Sequence, residues 1–350
     1  MLTADLRHAV LAAARNAGFP TPDDDPVLRP GGAPGRYRAN LPLRIAAATG
    51  QPAGYPAGQP AGPDAATVAA TIAAELQHEP WIAQATPAPQ GHLIITVTDD
   101  ALARLAVRVT EAGPDCARSD ALKNTTPTPP RASPDGPWAD AHSTVRRQVT
   151  ASLATAAGAS VPSYFHGLIS GVAQHRPGAA GQPPEVQQAV TFAGPDAVRY
   201  TLARTPAEHL VPPDQASTAR HIEANPAYAV RYAYSCAAST LRWAADLGLS
   251  RGPAEQFRPG SLTHPRERAL LDALSWLPEQ VARAARRGRP HEFTAFCEEL
   301  AETYQVCRVT CPAWPERGHV VRARLWLTGA VAAGLAAGLE LLGVSAPGRL

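Results

Sequence analysis

Arg283, Arg286, Arg287, Arg289 and His291 fall within one short stretch, so several positive groups could meet an anion there together. Clustered guanidiniums suit phosphates, whose neutralisation releases counterions. They equally suit a solvated helix end, where arginines favour the helix dipole. Tyr228 and Tyr232 are spaced to share a helix face, and Tyr234 and Trp243 lie further along the same segment. Aromatic side chains at that spacing build either a core or a platform on which single-stranded bases stack. Near the start of the chain, Arg36, Arg38 and Arg44 surround Tyr37, a second place where ring stacking and phosphate contact could combine. A solvated loop would carry the same residues, since clustered charge alone is only an electrostatic footprint. The net charge is +2, so any affinity for nucleic acid must come from such local clusters.

Bond-making chemistry is poorly provided for. Histidines and carboxylates are scattered without metal-ligand or catalytic spacing, and no nucleophile elbow surrounds Ser345. Cys307 and Cys311 have helical spacing, but one pair without a nearby histidine gives too few ligands for tetrahedral zinc. The thiols read as packing groups. With Cys116, Cys236 and Cys297 they form an odd set, and no positively charged, apolar leader opens the sequence. Reduced thiols and a cytoplasmic location are expected. Lys123 is the only lysine, in a composition rich in Ala, Arg, Pro and Gly.

The elements that would position these residues are mostly helices. At 350 residues the chain can hold more than one core, while 36 Pro and 27 Gly demand irregular stretches between them. Thr3 to Ala17 has an apolar side and ends before Gly18; Asp64 is placed to cap a helix running to Leu76; His92 to Thr98, rich in β-branched residues, reads as a strand. Residues 1–110 therefore form a small α+β domain, interrupted by a repeated Pro-Ala-Gly linker over Gln51 to Pro63. Residues 111–194 carry a linker composition as far as Trp138, a helical pattern over His142 to Ala157, and a weakly patterned stretch from Gly167 to Pro184. No independent core is expected there.

From Pro195 onward helix follows helix: Asn225-Pro226 opens one that runs to Leu247, Thr263 and Pro265 repeat the device, and Pro278 and Pro290 open two more. The apolar run Leu325 to Leu339 is about 15 residues against the roughly 20 that a membrane span needs, so it reads as a buried helix, with Gly334 and Gly338 marking close packing. The fold class is mainly α, a C-terminal all-α helical bundle over 195–350 plus the small N-terminal α+β domain.

Asp196-Ala197-Val198-Arg199-Tyr200 resembles the motif of the DALR anticodon-binding domain of arginyl-tRNA synthetases. Asn225-Pro226-Ala227-Tyr228-Ala229-Val230-Arg231-Tyr232-Ala233 is similar to the family's Asn-Pro-x-x-Tyr-Val-Gln-Tyr-Ala helix start, with Arg231 in place of the usual Gln. Leu271 to Pro278, Pro290-His291, Glu299-Leu300-Ala301, Tyr304, Cys307-Arg308-Val309 and the ending Leu341 to Leu350 fall in family order. Upstream, Gly35 to Leu41 resembles a family segment of the N-terminal tRNA-elbow domain, and Gly91 to Val97 its closing strand, with His92 and Ile94 replacing Phe and Asn.

The resemblance implies tRNA as partner, arginine tRNA first, and contacts from Asn225, Tyr228, Arg231, Tyr232, Arg283, Arg286, Arg287, Arg289, Tyr304, Arg308, Tyr37 and Asn40. It also shows what is missing. The family's nucleotide-binding domain is a doubly wound sheet, for which residues 111–194 are too few. Ser133-Pro134-Asp135 with His142-Ser143 looks like a collapsed form of the segment that carries two histidines in the family. A Lys-Met-Ser-Lys-Ser loop cannot be drawn from a chain whose only Met is Met1 and only Lys is Lys123. The expectation is a tRNA-binding protein with no cofactor and no catalysis of its own. Two alternatives remain: an arginine-tRNA ligase, alone or with a partner, for which ATP would be needed, and a protein-interaction subunit that no longer binds RNA. No membrane is expected as a partner.

Overall fold

The computed structural model describes residues 2–21, 28–49, 63–133, 135–136, 138–160, 184–209, 214–222, 224–314 and 318–350. The linker expected over Gln51 to Pro63 and the stretch Gly167 to Pro184 lie outside them, apart from their last residues. The chain forms two compact units, Met1–Leu105 and Ala106–Leu350.

The first unit runs α1 (Leu2–Asn16), β1 (Leu28–Pro30), β2 (Arg36–Ala39), α2 (Leu41–Thr49), α3 (Ala65–Leu76), β3 (Ile82–Ala88), β4 (His92–Val97) and the start of α4 (Asp99–Ala112). Its strands make an antiparallel sheet in the order β1-β2-β4-β3. Alternation along β4 buries Leu93, Ile95 and Val97 on one face and leaves His92, Ile94 and Thr96 partly exposed on the other. Asp64 caps α3 as expected, its Oδ1 accepting from the Thr67 N–H at 2.7 Å. Three strands escape the sequence pattern. β3 reads Ile-Ala-Gln-Ala-Thr-Pro-Ala, and its Pro87 is tolerated because the strand lies at the sheet edge.

The basic segment around Tyr37 is an inner strand and not a loop, and this corrects the expectation for that residue. Tyr37 pairs with Ile95 and is fully buried on the core face of the sheet, so its ring is not available for stacking. Asn40 stands half-buried immediately before α2.

The second unit contains the rest of α4 and then α5 (Ala139–Ala156), α6 (Pro184–Ala193), α7 (Pro195–Arg204), α8 (Gln215–Ala219), α9 (Pro226–Asp246), α10 (Pro265–Ser275), α11 (Leu277–Arg287), α12 (Pro290–Thr310) and α13 (His319–Leu342). Proline in the first turn starts α7, α9, α10, α11 and α12, where its missing N–H is harmless. The cap of α10 is His264, one residue later than Thr263, in a capping box with Glu267.

Among the described residues α13 is the one helix long and apolar enough to cross a membrane, and 72% of its apolar window is buried inside the unit. It packs along α9 and also meets α10 and α12. A Cβ at Gly334 would lie 3.0 Å from Leu274, and one at Gly338 3.0 Å from the Cys297 sulfur, so both glycines permit the close approach read from their spacing.

The described residues of 111–194, a stretch expected as a loose connector, group with the helical bundle. Cys116, Leu122 and Trp138 are buried, and α5 inserts Val145, Val149 and Leu153 as it packs on α7 and α11. A few apolar anchors are enough to offset the ordering cost of a segment whose average composition reads as linker. No strand occurs among its described residues.

One buried cation links three of these helices. Arg199 on α7 donates from Nε to the Leu342 carbonyl at the end of α13 and from Nη1 to Gln148 Oε1 on α5, both at 2.7 Å. The last-turn carbonyls of a helix are unsatisfied and carry partial negative charge, which suits a guanidinium. Gly343 follows in a left-handed turn, and any Cβ there would collide with the Arg199 side chain at 2.5 Å. Replacing Arg199 with Met should lower the unfolding free energy by about 2–4 kcal/mol, because buried acceptors lose their donor. Urea denaturation followed by circular dichroism measures this; an unchanged midpoint would mean that the end of α13 is held by other contacts.

Candidate nucleic-acid interface

The start of α9 is built by Asn225. Its Oδ1 accepts from the N–H groups of Ala227 and Tyr228, and its Nδ2 donates to the Thr218 and Arg220 carbonyls, both at 2.8 Å. These bonds fix the turn before the helix and bring His221 over the first aromatic residue. His221 stacks on Tyr228 with centroids 5.1 Å apart and planes 11° from parallel, and Tyr228 stacks on Tyr232 at 5.5 Å and 14°. Tyr232 is 40% exposed. The neighbouring Cys236 thiol raises its pKa.

The three rings wall a cavity of about 530 Å³, whose opposite side is Glu298, Ala301, Glu302 and Gln305 of α12. Glu298 is already engaged by Arg204 at 2.8 Å and by the Tyr200 hydroxyl at 3.2 Å. Glu302 is exposed, and Gln305 lines the cavity with its Nε2 buried and its Oε1 accepting from Arg308 Nε. A stacking surface faced by an exposed carboxylate acceptor can hold a planar base and accept a hydrogen bond from its edge.

The arginine cluster has an internal organiser. Arg283, Arg287 and Arg289 converge on the single carboxylate of Glu292 at 3.3, 3.2 and 3.4 Å, each about half exposed, and Arg286 is exposed beside them. The patch keeps a surplus of positive charge at the turn between α11 and α12.

Several expected contacts turn out to be structural. Asn225 is buried, with its side-chain amide committed to the cap. Arg231 points to the C-terminal tail, 3.3 Å from Ser345 Oγ and 3.8 Å from the Asp196 carboxylate. Tyr304 is 3% exposed and belongs to the core. Tyr37 is buried in the other unit. Tyr228, Tyr232 and Arg308 do line open cavities. His221, Glu302 and Gln305 went unnoticed in the sequence. His221 precedes the helix in an irregular turn without periodicity, and the α12 pair matters only because α12 lies opposite the rings.

Residues 230–350 match the DALR anticodon binding domain family. About half of the chain is similar in sequence to arginine-tRNA ligases. Over 175 residues the chain is 38% identical to the arginine-tRNA ligase of Paenarthrobacter aurescens, an alignment covering 49% of this chain and 31% of that protein. The corresponding enzyme of Kineococcus radiotolerans is 39% identical over the same length, again 31% of the relative. The matched stretch is thus roughly a third of each curated relative. Among solved structures, Thermus thermophilus arginyl-tRNA synthetase aligns over 100% of both chains with a TM-score of 0.66 at 12% identity. The Plasmodium falciparum synthetase aligns over 100% of this chain and 99% of its own with a TM-score of 0.62 at 9% identity. At such identities the likeness is one of fold.

The Asp196 to Tyr200 segment, which lies before the residues matched to the family, holds the tail. Asp196 accepts from the Ser345 N–H at 3.2 Å and from the Ser345 hydroxyl, while Arg199 holds the end of α13. The cysteine pair packs: Cys307 and Cys311 are buried, and burial pushes the Cys307 thiol up to about 12.

His142 is fully buried between Ser133 Oγ, 2.8 Å from Nδ1, and the Thr205 carbonyl, 2.9 Å from Nε2. A carbonyl only accepts, so Nε2 carries the proton and Nδ1 accepts from the serine hydroxyl. Burial lowers its pKa, as it does for His291. A histidine held neutral in the folded state binds its proton more readily when unfolded, so stability is complete above the unfolded value of about 6.5 and is lost as pH falls below it. Melting temperature should drop between about pH 7.5 and 5, and His142→Gln should flatten that dependence. An identical slope in wild type and variant would assign it elsewhere.

Proposed function

We propose that the chain is a tRNA-binding protein, directed to arginine tRNA, that stacks unpaired loop bases on His221, Tyr228 and Tyr232 and forms no aminoacyl adenylate itself. The observation that carries this reading is the three-ring stack facing Glu302 across an open cavity, at the boundary where the match to the DALR family begins. Loop bases offer π-faces for stacking and free edges for hydrogen bonds, and a carboxylate favours an edge with an exocyclic amino group. The Arg286 patch would contact phosphates without regard to sequence.

The non-catalytic part of the reading draws on the chemistry of adenylate formation, which needs aimed positive charge around the ATP phosphates. The single Lys123, the buried His142 and the helical character of the described residues in 111–194 offer none of the family's usual means. The end-to-end alignment with solved synthetases favours the opposite reading, an active ligase. Arginine-dependent exchange of pyrophosphate into ATP by the purified chain separates the two. We expect none, and measurable exchange would make the chain a ligase.

Filter binding across purified tRNAs at two salt concentrations tests the RNA reading, with arginine tRNA expected to bind best and all binding to weaken with salt. Indifference to both would sink it. Tyr228→Ala should weaken binding about tenfold, the loss of one stacked base. Arg286→Ala should weaken all tRNAs alike and reduce the salt slope by about one; a change confined to one tRNA would instead mean base contact.

A further inference from the structure

We propose that Cys307 and Cys311, one turn apart at the end of α12, form a two-sulfur site for a single monovalent copper ion, Cu(I). The site does not depend on the reading of the chain as an RNA binder. Both thiols are buried, yet both border one cavity of about 150 Å³ between α9, α10, α12 and α13. That is well above the roughly 15 Å³ of such space that one water needs. Trp243 lines the same cavity and is 60% exposed, so the space reaches the surface.

The spacing selects an ion over a disulfide. The Cys311 N–H donates to the Cys307 carbonyl at 2.7 Å, which carries the helical pitch as far as Cys311. Residues four apart on a helix have Cβ atoms about 5–6 Å apart. A disulfide needs about 3.5–4.5 Å, whereas two metal–sulfur bonds in line, each about 2.3 Å, fit the wider gap without bending the helix. Zinc takes four ligands, and the described residues hold no group of three or more His, Cys, Asp or Glu able to bind a metal. Glu267, whose charge reaches both thiols, is committed: Oε1 accepts from Arg324 Nε at 2.7 Å and Oε2 from the His264 N–H at 3.0 Å. Two soft thiolates with no third ligand suit Cu(I).

The surroundings suit the charge of the complex. Binding replaces two thiol protons, which pass to solvent, with one ion, and no oxidation state changes. The resulting copper dithiolate is an anion. Arg308 and Arg324 line the cavity and Glu267 offsets one of them, so a surplus positive charge is left for the anion to neutralise. Arg324 also donates from Nη1 to the Pro312 carbonyl at 2.8 Å, which fixes the residue after Cys311 and with it the second sulfur. Burial holds both thiols protonated in the empty protein, which slows their oxidation, while a coordinating cation displaces the proton.

Anaerobic titration of the full, reduced chain with Cu(I), in competition with a chromophoric Cu(I) chelator, tests the site. A single equivalent should be taken up, and X-ray absorption of the loaded protein should show two sulfur neighbours and no third ligand. Cys307→Ser and Cys311→Ser should each lose that equivalent, while Cys236→Ser, whose thiol borders a different cavity, should keep it. Arg324→Gln should weaken uptake about tenfold, as loss of a group supporting a metal ligand does. Melting curves equal to wild type would confirm that the variants fold, and the coordination number is read on the wild-type chain alone. No uptake by wild type, equal uptake when both cysteines are replaced by serine, or three or more ligands around the copper overturns the site. Zn(II) held as tightly as Cu(I) overturns the choice of ion. Each of these outcomes leaves the tRNA reading where it stands.

Discussion

The hydrogen bond from Arg199 to the last turn of α13 is the constraint from which the surface of the helical unit follows. A guanidinium buried at 2% exposure is tolerable only with strong acceptors, and the carbonyl end of a long helix is one of the few that the backbone itself supplies. The bond fixes where α13 stops and forces the left-handed turn at Gly343. The chain then leaves the helix toward α7 and α9, where Asp196 receives Ser345. From there Ser235 and Arg242 take hold of Pro347 and Gly348. A bond between a buried arginine and a carbonyl therefore decides where the C-terminal tail lies.

The division of labour between buried and exposed groups is consistent along α9. Residues most recognisable in the sequence, Asn225 and Arg231, shape the backbone and the tail; those that line open space are Tyr228, Tyr232 and Trp243. The physical reason is that a polar side chain flanked by unsatisfied backbone groups is captured by them. The Asn225 amide sits where a helix start presents free N–H groups and a preceding turn presents carbonyls, and it satisfies both. Aromatic rings on the solvent stripe have no such competitor and can only pack on each other, as His221, Tyr228 and Tyr232 do.

The segment between the two ends is held by a few groups. His142 bridges Ser133 and Thr205, Arg146 donates to the Arg131 carbonyl at 2.7 Å, and α5 lies on α7 and α11. A chain stretch rich in Pro, Thr and Ser follows the bundle surface because these anchors recur along it. Gly288 shows how close the contact is, since a Cβ there would approach the Thr128 and Pro129 carbonyls to within 3.0 Å.

Most of the helical architecture was legible in the sequence. Proline at helix starts, glycine after helix ends and the apolar period of α13 depend on local backbone chemistry, which operates without tertiary contacts. The resemblance of residues 230–350 to the DALR anticodon binding domain was legible there too. Strand partners were not legible: Tyr37 looks identical in a solvated loop and in an inner strand, and only its pairing with Ile95 buries it. Nor were the two cavities, because each joins residues of α9 to residues of α12, far apart in the chain. Period places Tyr232 and Trp243 on one stripe; what faces that stripe was decided by packing, through the end of α13 and the arginine that holds it.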